Sequence, residues 1–391
     1  MSAHTEPVRV DAGYTGLRKL TAALPARYYY DPAHHARELA CIWYRNWVYV
    51  CRSRELAGAR AFRTFDLGDQ SLLLVRGDDD VVRAFHNTCR HRGAALCQSR
   101  EGRLPTAAIV CPYHGWSYGL NGELRRTSSL LEAQGFDRRN FSLYKVAVTE
   151  WNGFIFVALS EEPPPFAAHF DQPLDRLDNW RLADLVVGHA FSRTIHCNWK
   201  VFWENYSECL HCPGVHPKLS QLVPIFGRGL LEERDDPHWS DHQDDEDPRY
   251  RGGLRAGAAT WSMDGETCGP CFPDLTAEDR KSGQVYMTGL PSLFMIAHSD
   301  YVRVMRLRPL GAEQTELSVE FLFLPEVLAD PAFDPGNVVK FSDLVLSEDA
   351  DVCERNQRGL RAVPHMRGVL MPEEYLVHQF QQWVQAELTR G

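Results

Sequence analysis

Apolar and polar positions divide the chain into stretches of different rhythm. Asp31-Pro32 followed by AHHARELACIWYRNW predicts a helix start, because aspartate can cap and a proline at the first position loses no needed N–H. From about Ala61 the pattern shortens to β runs. SLLLVRGDDDVVRAFHN predicts two strands around a Gly77–Asp80 turn, and Ala107–Val110, Ser142–Thr149 and Gly153–Leu159 continue the series. A compact all-β unit is expected over residues 45–158, closed by the proline-rich break EEPPPF at 161–166. Beyond the break, helix and strand mix. Trp199–Leu210, Val338–Leu360 and Pro372–Thr389 have helical character, and Tyr301–Pro309 and Thr315–Leu324 predict strands of an antiparallel sheet. Segment 232–252, dense in Asp, Arg, His and Pro, predicts a mobile loop. There is no internal repeat and no GxGxxG dinucleotide loop.

The 391 residues suffice for two cores. A net charge of -10 disfavours an electrostatic nucleic-acid surface. The opening MSAHTEPVRVDAGY has neither a basic nor an apolar leader region, and the run Trp151–Leu159 is too short to span a bilayer, so no membrane role and a cytoplasmic location are expected. The 11 cysteines are odd in number and follow no secreted disulfide spacing, which turns attention to metal.

Cys89-Arg90-His91 is followed, after 19 intervening residues, by Cys111-Pro112-Tyr113-His114. Two β loops thus each offer one thiol and one imidazole. A [2Fe–2S] cluster with two Cys on one iron and two His on the other needs these four ligands. A tetrahedral zinc site is the alternative, but its usual order groups the cysteines before the histidines. Gly93 and Gly115 would let backbone N–H groups approach the sulfides. Cys97, just outside the pattern, is expected to be a small hydrophobe.

A second constellation lies in NWKVFWENYSECLHCPGVHP, residues 198–217. If a helix runs to about Cys212 and breaks at Pro213-Gly214, His216 can swing back beside His211, with Glu208 on the same helical face. Two His and one carboxylate leave open positions on Fe(II) for O₂. The acid-rich run Ser347–Glu354 could supply the carboxylate, although charge alone reads it as a solvated helix face. The absence of HExxH disfavours a zincin-type hydrolase.

CRHRG and CPYHGW together resemble the Rieske motif CxH…CxxH, and the likeness to the α subunits of Rieske non-haem iron oxygenases (ring-hydroxylating oxygenases) covers nearly the whole chain. The resemblance implies an α+β fold: a segment 1–44 packing on the catalytic domain, an all-β Rieske domain at 45–158, and a mononuclear-iron domain at 159–391 with an antiparallel sheet covered by helices in a helix-grip, START-like arrangement. It implies His211 and His216 as iron ligands with a third from an Asp on a late helix. Asp349 is the choice and Asp351 the runner-up, since the two point to opposite sides of a helix. It further implies that Glu208 bridges a Rieske histidine, His91 or His114, of a neighbouring subunit to His211 within a homotrimer. With no dinucleotide fingerprint in the chain, electrons are expected from a separate NAD(P)H-dependent flavin and iron–sulfur reductase.

ENYSECLHCPGVHP, with Glu at 208 where aromatic-ring dioxygenases more often have Asp, resembles the carnitine, glycine betaine and stachydrine oxygenases. The expected reaction is hydroxylation of a C–H bond in a quaternary or N-methylated amine, ending in demethylation or C–N cleavage. An aromatic-ring dioxygenase or aromatic demethylase is the alternative, and a Rieske electron carrier without mononuclear iron is a third. Phe202, Trp203, Tyr206, Trp261, Tyr286 and Phe294 are candidates for an aromatic cage around a cation, though each taken alone also reads as core. Cys268-Gly-Pro-Cys271 lacks a thioredoxin context and is read as a pair of free thiols.

Overall fold

The computed structural model describes residues 10–390. The first nine positions of the 1–44 segment, and most of the leader reading made on them, lie outside it. Strand β1 (Thr21–Pro25) and helix α1 (Pro32–Glu38) open the chain. Asp31 caps α1 by accepting from the Ala33 N–H, with Pro32 at the first helical position.

An antiparallel sheet follows, built from β2 (Val48–Arg52), β3 (Ala61–Leu67), β4 (Gln70–Arg76), β5 (Val82–His86) and β6 (Glu101–Arg103). A small three-stranded sheet, β7 (Ala108–Val110), β8 (Ser117–Gly119) and β9 (Leu124–Arg126), stands beside it. β10 (Lys145–Trp151) and β11 (Phe154–Ala158) complete the large sheet in the order β2-β11-β10-β5-β4-β3-β6. The Gly77–Asp80 turn joins β4 to β5 as expected. β11 reads as an unbroken apolar run because it is buried on both faces.

The second half holds a five-stranded antiparallel sheet. β12 (Val186–Ile195) leads to helix α2 (Trp199–Tyr206). Then come β13 (Gln284–Gly289), β14 (Leu293–His298), β15 (Val302–Gly311) and β16 (Gln314–Phe323), in the order β12-β16-β15-β14-β13. The long helix α3 (Gly336–Gly359) lies over this sheet, β17 (Arg367–Leu370) pairs back with β1, and helix α4 (Tyr375–Arg390) ends the described chain. The fold is α+β, and one apolar core joins β2 and β11 to α2 and to β14–β16.

Two expectations are corrected. Helix α2 stops at Tyr206, well short of Cys212, because the Ser207 hydroxyl bonds the Trp203 carbonyl and the backbone turns there. Segment 232–252 is folded into three short helical turns, pinned by the Arg228–Asp236 ion pair and by Asp235, whose carboxylate accepts from the Leu231 and Glu232 N–H groups. Among the described residues no helix is long and apolar enough to cross a membrane.

Candidate metal centres

The first constellation occupies the loops after β5 and β7. Each loop closes on itself: the Gly93 N–H bonds the Cys89 carbonyl, and the Gly115 N–H bonds that of Cys111. Both glycines have positive φ, +76° and +67°, which a residue with a Cβ rarely adopts. The N–H groups of these two glycines therefore turn the loops. The turns bury Cys89 and Cys111 while leaving His91 exposed and His114 half-buried, with ring centroids 4.7 Å apart. His91 also stacks on Trp116, and the Tyr118 hydroxyl lies 3.2 Å from the Cys89 sulfur. Burial, with Cys111 adding, holds the metal-free Cys89 thiol above its usual range, and neither cysteine is in a disulfide. A cluster-binding clamp needs two paired soft donors inside and two imidazoles toward the surface, and this donor set fits. Cys97 is free and packs against the same small core.

The second constellation forms where the loop after α2 meets α3. Nε2 of His211 and Nε2 of His216 are 3.2 Å apart. Asp349 Oδ1 lies 3.0 Å from the latter and 3.6 Å from the former. Ligands at roughly 2.1 Å from one ion would stand about 3.0 Å apart at right angles and about 3.6 Å apart at 120°. The three atoms therefore suit a single metal held on one face. Asp349 is buried because it continues the stripe Val338, Phe341, Val345, Leu346 and Cys353 of α3, whereas Asp351 points to solvent.

Outer carboxylates orient both rings. Glu208 accepts from His211 Nδ1 at 2.6 Å and also from the His211 backbone N–H. Glu348 lies 2.8 Å from His216 Nδ1. Each Nε2 lone pair is thereby aimed at the shared point. Glu208 does this from the turn beyond α2, not from the helix face expected for it. Glu348 was not anticipated, since the acidic run reads as a solvated face, and neither was Asn205, whose amide lies 3.3 Å from His211 Nε2. With no metal bound, burial opposes charge on His211, but Asp349 and Glu208 outweigh it and carry the ring up to about 9. Asp349 is held below its usual range despite burial, because both histidines donate to it.

The loop holding the histidines contains a Cys209–Cys212 disulfide, which the odd cysteine count gave no reason to expect. Cys268 and Cys271 are free thiols, as expected. Of the six aromatic candidates, Trp203 and Phe294 pack on each other at 4.0 Å, and the Trp203 N–H bonds the Pro291 carbonyl. Phe202 is fully buried and stacks on Tyr206. Tyr206, Tyr286 and Trp261 form a continuous wall, with centroids 6.4 and 6.3 Å apart, and the two tyrosines are only half-buried. A cleft of about 360 Å³ opens beside His211, lined by Tyr29, Glu204, Glu208, Glu374 and Gln381.

Comparison with known proteins agrees with these two halves. The model of the Rieske [2Fe-2S] domain matches residues 46–136, and that of the ring hydroxylating alpha subunit (catalytic domain) matches residues 182–390. The glycine betaine monooxygenase oxygenase subunit of Chromohalobacter salexigens is 30% identical over 371 residues, covering 88% of this chain and 81% of that protein. The chloroplastic choline monooxygenase of Beta vulgaris is 28% identical, covering 93% of this chain and 76% of that protein. The solved structure of a quaternary ammonium Rieske monooxygenase, described as giving insights into carnitine oxidation and inter-subunit electron transfer, superposes with a TM-score of 0.71 at 21% identity over 94% of this chain and 96% of that one.

Proposed function

The chain belongs to the Rieske oxygenases of the ring-hydroxylating α-subunit family, and from that premise we propose that it is the terminal oxygenase acting on a quaternary or N-methylated amine of the betaine or carnitine type. Cys89, His91, Cys111 and His114 would hold the [2Fe–2S] cluster, and His211, His216 and Asp349 the mononuclear Fe(II). The 45–158 unit would be the cluster domain and 159–391 the iron domain. Segment 1–44 would belong with the latter, a reading supported, for its described residues 10–44, by the pairing of β1 with β17 and by the bonds of Trp199 and Lys200 to Glu38 of α1.

When bound, the cluster supplies electrons one at a time, and the iron supplies the site where O₂ is activated and one oxygen atom enters a substrate C–H bond. The protein's own part is positional. Glu208 and Glu348 fix the tautomers of His211 and His216, and burial of His216 and Asp349 keeps bulk water from competing for the open face. Hydroxylation of an N-methyl carbon gives an N–CH₂OH group whose C–N bond breaks to release formaldehyde and the demethylated amine.

Two features support a head-to-tail homotrimer in which His91 or His114 of one chain meets Glu208 of the next. Val369, which lines the Glu208 cleft, is exposed together with its chain neighbours Val363, Met366 and Met371, and Tyr113, beside His114, is exposed as are Leu130 and Leu131 of the cluster domain. Two different exposed apolar patches on one chain suit the heterologous contact of a closed ring. A separate NAD(P)H-dependent reductase would supply the electrons in the cytoplasm.

The observation that carries the reading is the convergence of His211, His216 and Asp349 at 3.0–3.6 Å with a carboxylate behind each ring. Metal analysis should find three irons per chain, against two for an electron carrier. NAD(P)H consumption with a surrogate reductase should follow betaines or carnitine and yield formaldehyde or another aldehyde with an amine. A cis-diol or phenol from an aromatic substrate would overturn the proposal.

A further inference from the structure

Building on the amine-oxidation reading, we propose that Arg303 anchors a carboxylate of the substrate, so that the substrate is a small zwitterion and not a simple cation. Arg303 lies on β15 opposite Ile296 and Phe321, on the face of the sheet that α2 and α3 cover. Its guanidinium is buried, with only 1% of the residue exposed. One terminal nitrogen donates to the Ser342 hydroxyl at 2.7 Å and the other to the Tyr206 hydroxyl at 2.9 Å, while Nε has no partner. Among the described residues no carboxylate forms an ion pair with it. Arg306, on the other face, has Glu316 within 3.9 Å. The acids nearest the triad are all engaged: Asp349 by both histidines, Glu208 by His211 and Glu348 by His216. Asp349 acts on Arg303 only through space, and both hydrogen-bond partners of Arg303 are neutral, so the buried guanidinium has no carboxylate in direct contact.

A further buried donor points the same way. The Trp261 ring lies 5.6 Å from the Arg303 guanidinium and 5.2 Å from the His298 ring. Both rings are buried, and the Trp261 N–H has no partner. Burial, with Arg303 adding, keeps the His298 ring neutral, and the Gly283 backbone is its hydrogen-bond partner. A set of buried donors without an acceptor is answered by a carboxylate, which only accepts and has two oxygens to share. The cation would then lie along the Tyr206–Tyr286 wall. Tyr206 joins this anchor to the metal centre, since its neighbour Asn205 reaches His211. A cation without a carboxylate would meet the guanidinium unscreened.

Glycine betaine and choline form the matched pair of probes, because they differ by a carboxylate against a CH₂OH group. Calorimetric binding to the anaerobic holoenzyme should favour glycine betaine over choline by at least about 30-fold. Arg303→Met should abolish that preference and Arg303→Lys should reduce it, with betaine binding weakened in both and cluster absorbance and iron content unchanged. Arg303→Lys retains the charge and carries the test if Arg303→Met does not fold. Choline binding as tightly as betaine, or a preference that survives both substitutions, would overturn the anchor and leave the amine reading standing. Arg303-dependent binding of benzoate with no binding of either amine would do the reverse. Failure of all three probes to bind would overturn both.

Discussion

Glu204 offers a worked test of the electrostatics around the cleft. Its carboxyl, four residues before Glu208, accepts from the Tyr29 hydroxyl at 2.6 Å and from the Gln381 amide at 3.0 Å. Burial pushes its pKa up from 4.5 to about 7, against the lowering effect of those two donors. Below pH 4.5 folded and unfolded chains both carry the proton, so stability is unaffected. Between 4.5 and 7 the unfolded chain ionises while the folded one holds its proton, so stability falls. Above 7 both are ionised and the loss is complete. A shift of this size costs about 3 kcal/mol, reduced to between about 2 and 3 once water in the cleft screens the charge. Glu204→Gln keeps an acceptor for both donors and removes the titration. Urea unfolding at fixed pH, followed by tryptophan fluorescence, should show the variant more stable than the parent by that amount at pH 8, with most of the gap closing by pH 5. A stability difference that stays constant from pH 5 to 8 would refute the reasoning.

Three further outcomes follow from the metal centres. His211→Ala should leave two irons per chain and the visible cluster spectrum while abolishing turnover, and full activity in that variant would remove His211 from the ligand set. Glu208→Gln should weaken mononuclear Fe(II) binding by about 10- to 100-fold. With iron restored, it should slow oxidation of the reduced cluster in single-turnover spectroscopy, and an unchanged rate would exclude the bridge. In the iron-depleted protein His211 holds its proton up to about 9, and the metal must displace it. Apparent Fe(II) affinity should therefore rise about tenfold per pH unit from 7 to 9 and then level off, and a flat profile from anaerobic titration would contradict the assignment.

Local features were the most legible in the sequence. Cys89, His91, Cys111 and His114 announce themselves because each pair lies on one short loop, so spacing alone fixes their meeting. The resemblance offered Asp349 as the choice and Asp351 as the runner-up; in the structure only Asp349 falls on the apolar stripe of α3. The end of α2 was hidden: Ser207, Glu208 and Leu210 all tolerate a helix, and a single hydroxyl-to-carbonyl bond decides against it. Glu348 was hidden for a different reason. An acid in a run of acids looks solvated until the chain folds a histidine 132 residues away against it. The turns within 232–252 depend on carboxylates capping nearby N–H groups, which composition reads as disorder.

The grip of α3 on His216 sets an order of events during synthesis. Glu348 and Asp349 take hold of the two ring nitrogens of a residue 132 and 133 positions earlier. A nascent chain has emitted every proposed cluster donor by position 114, yet its proposed iron pocket is incomplete until the late helix emerges. The proposed single-iron pocket is thus assembled late, from a histidine pair midway along the chain and the carboxylates of α3. A protein truncated before α3 keeps all four proposed cluster donors but lacks Asp349, so it should hold at most two irons per chain and stay catalytically silent.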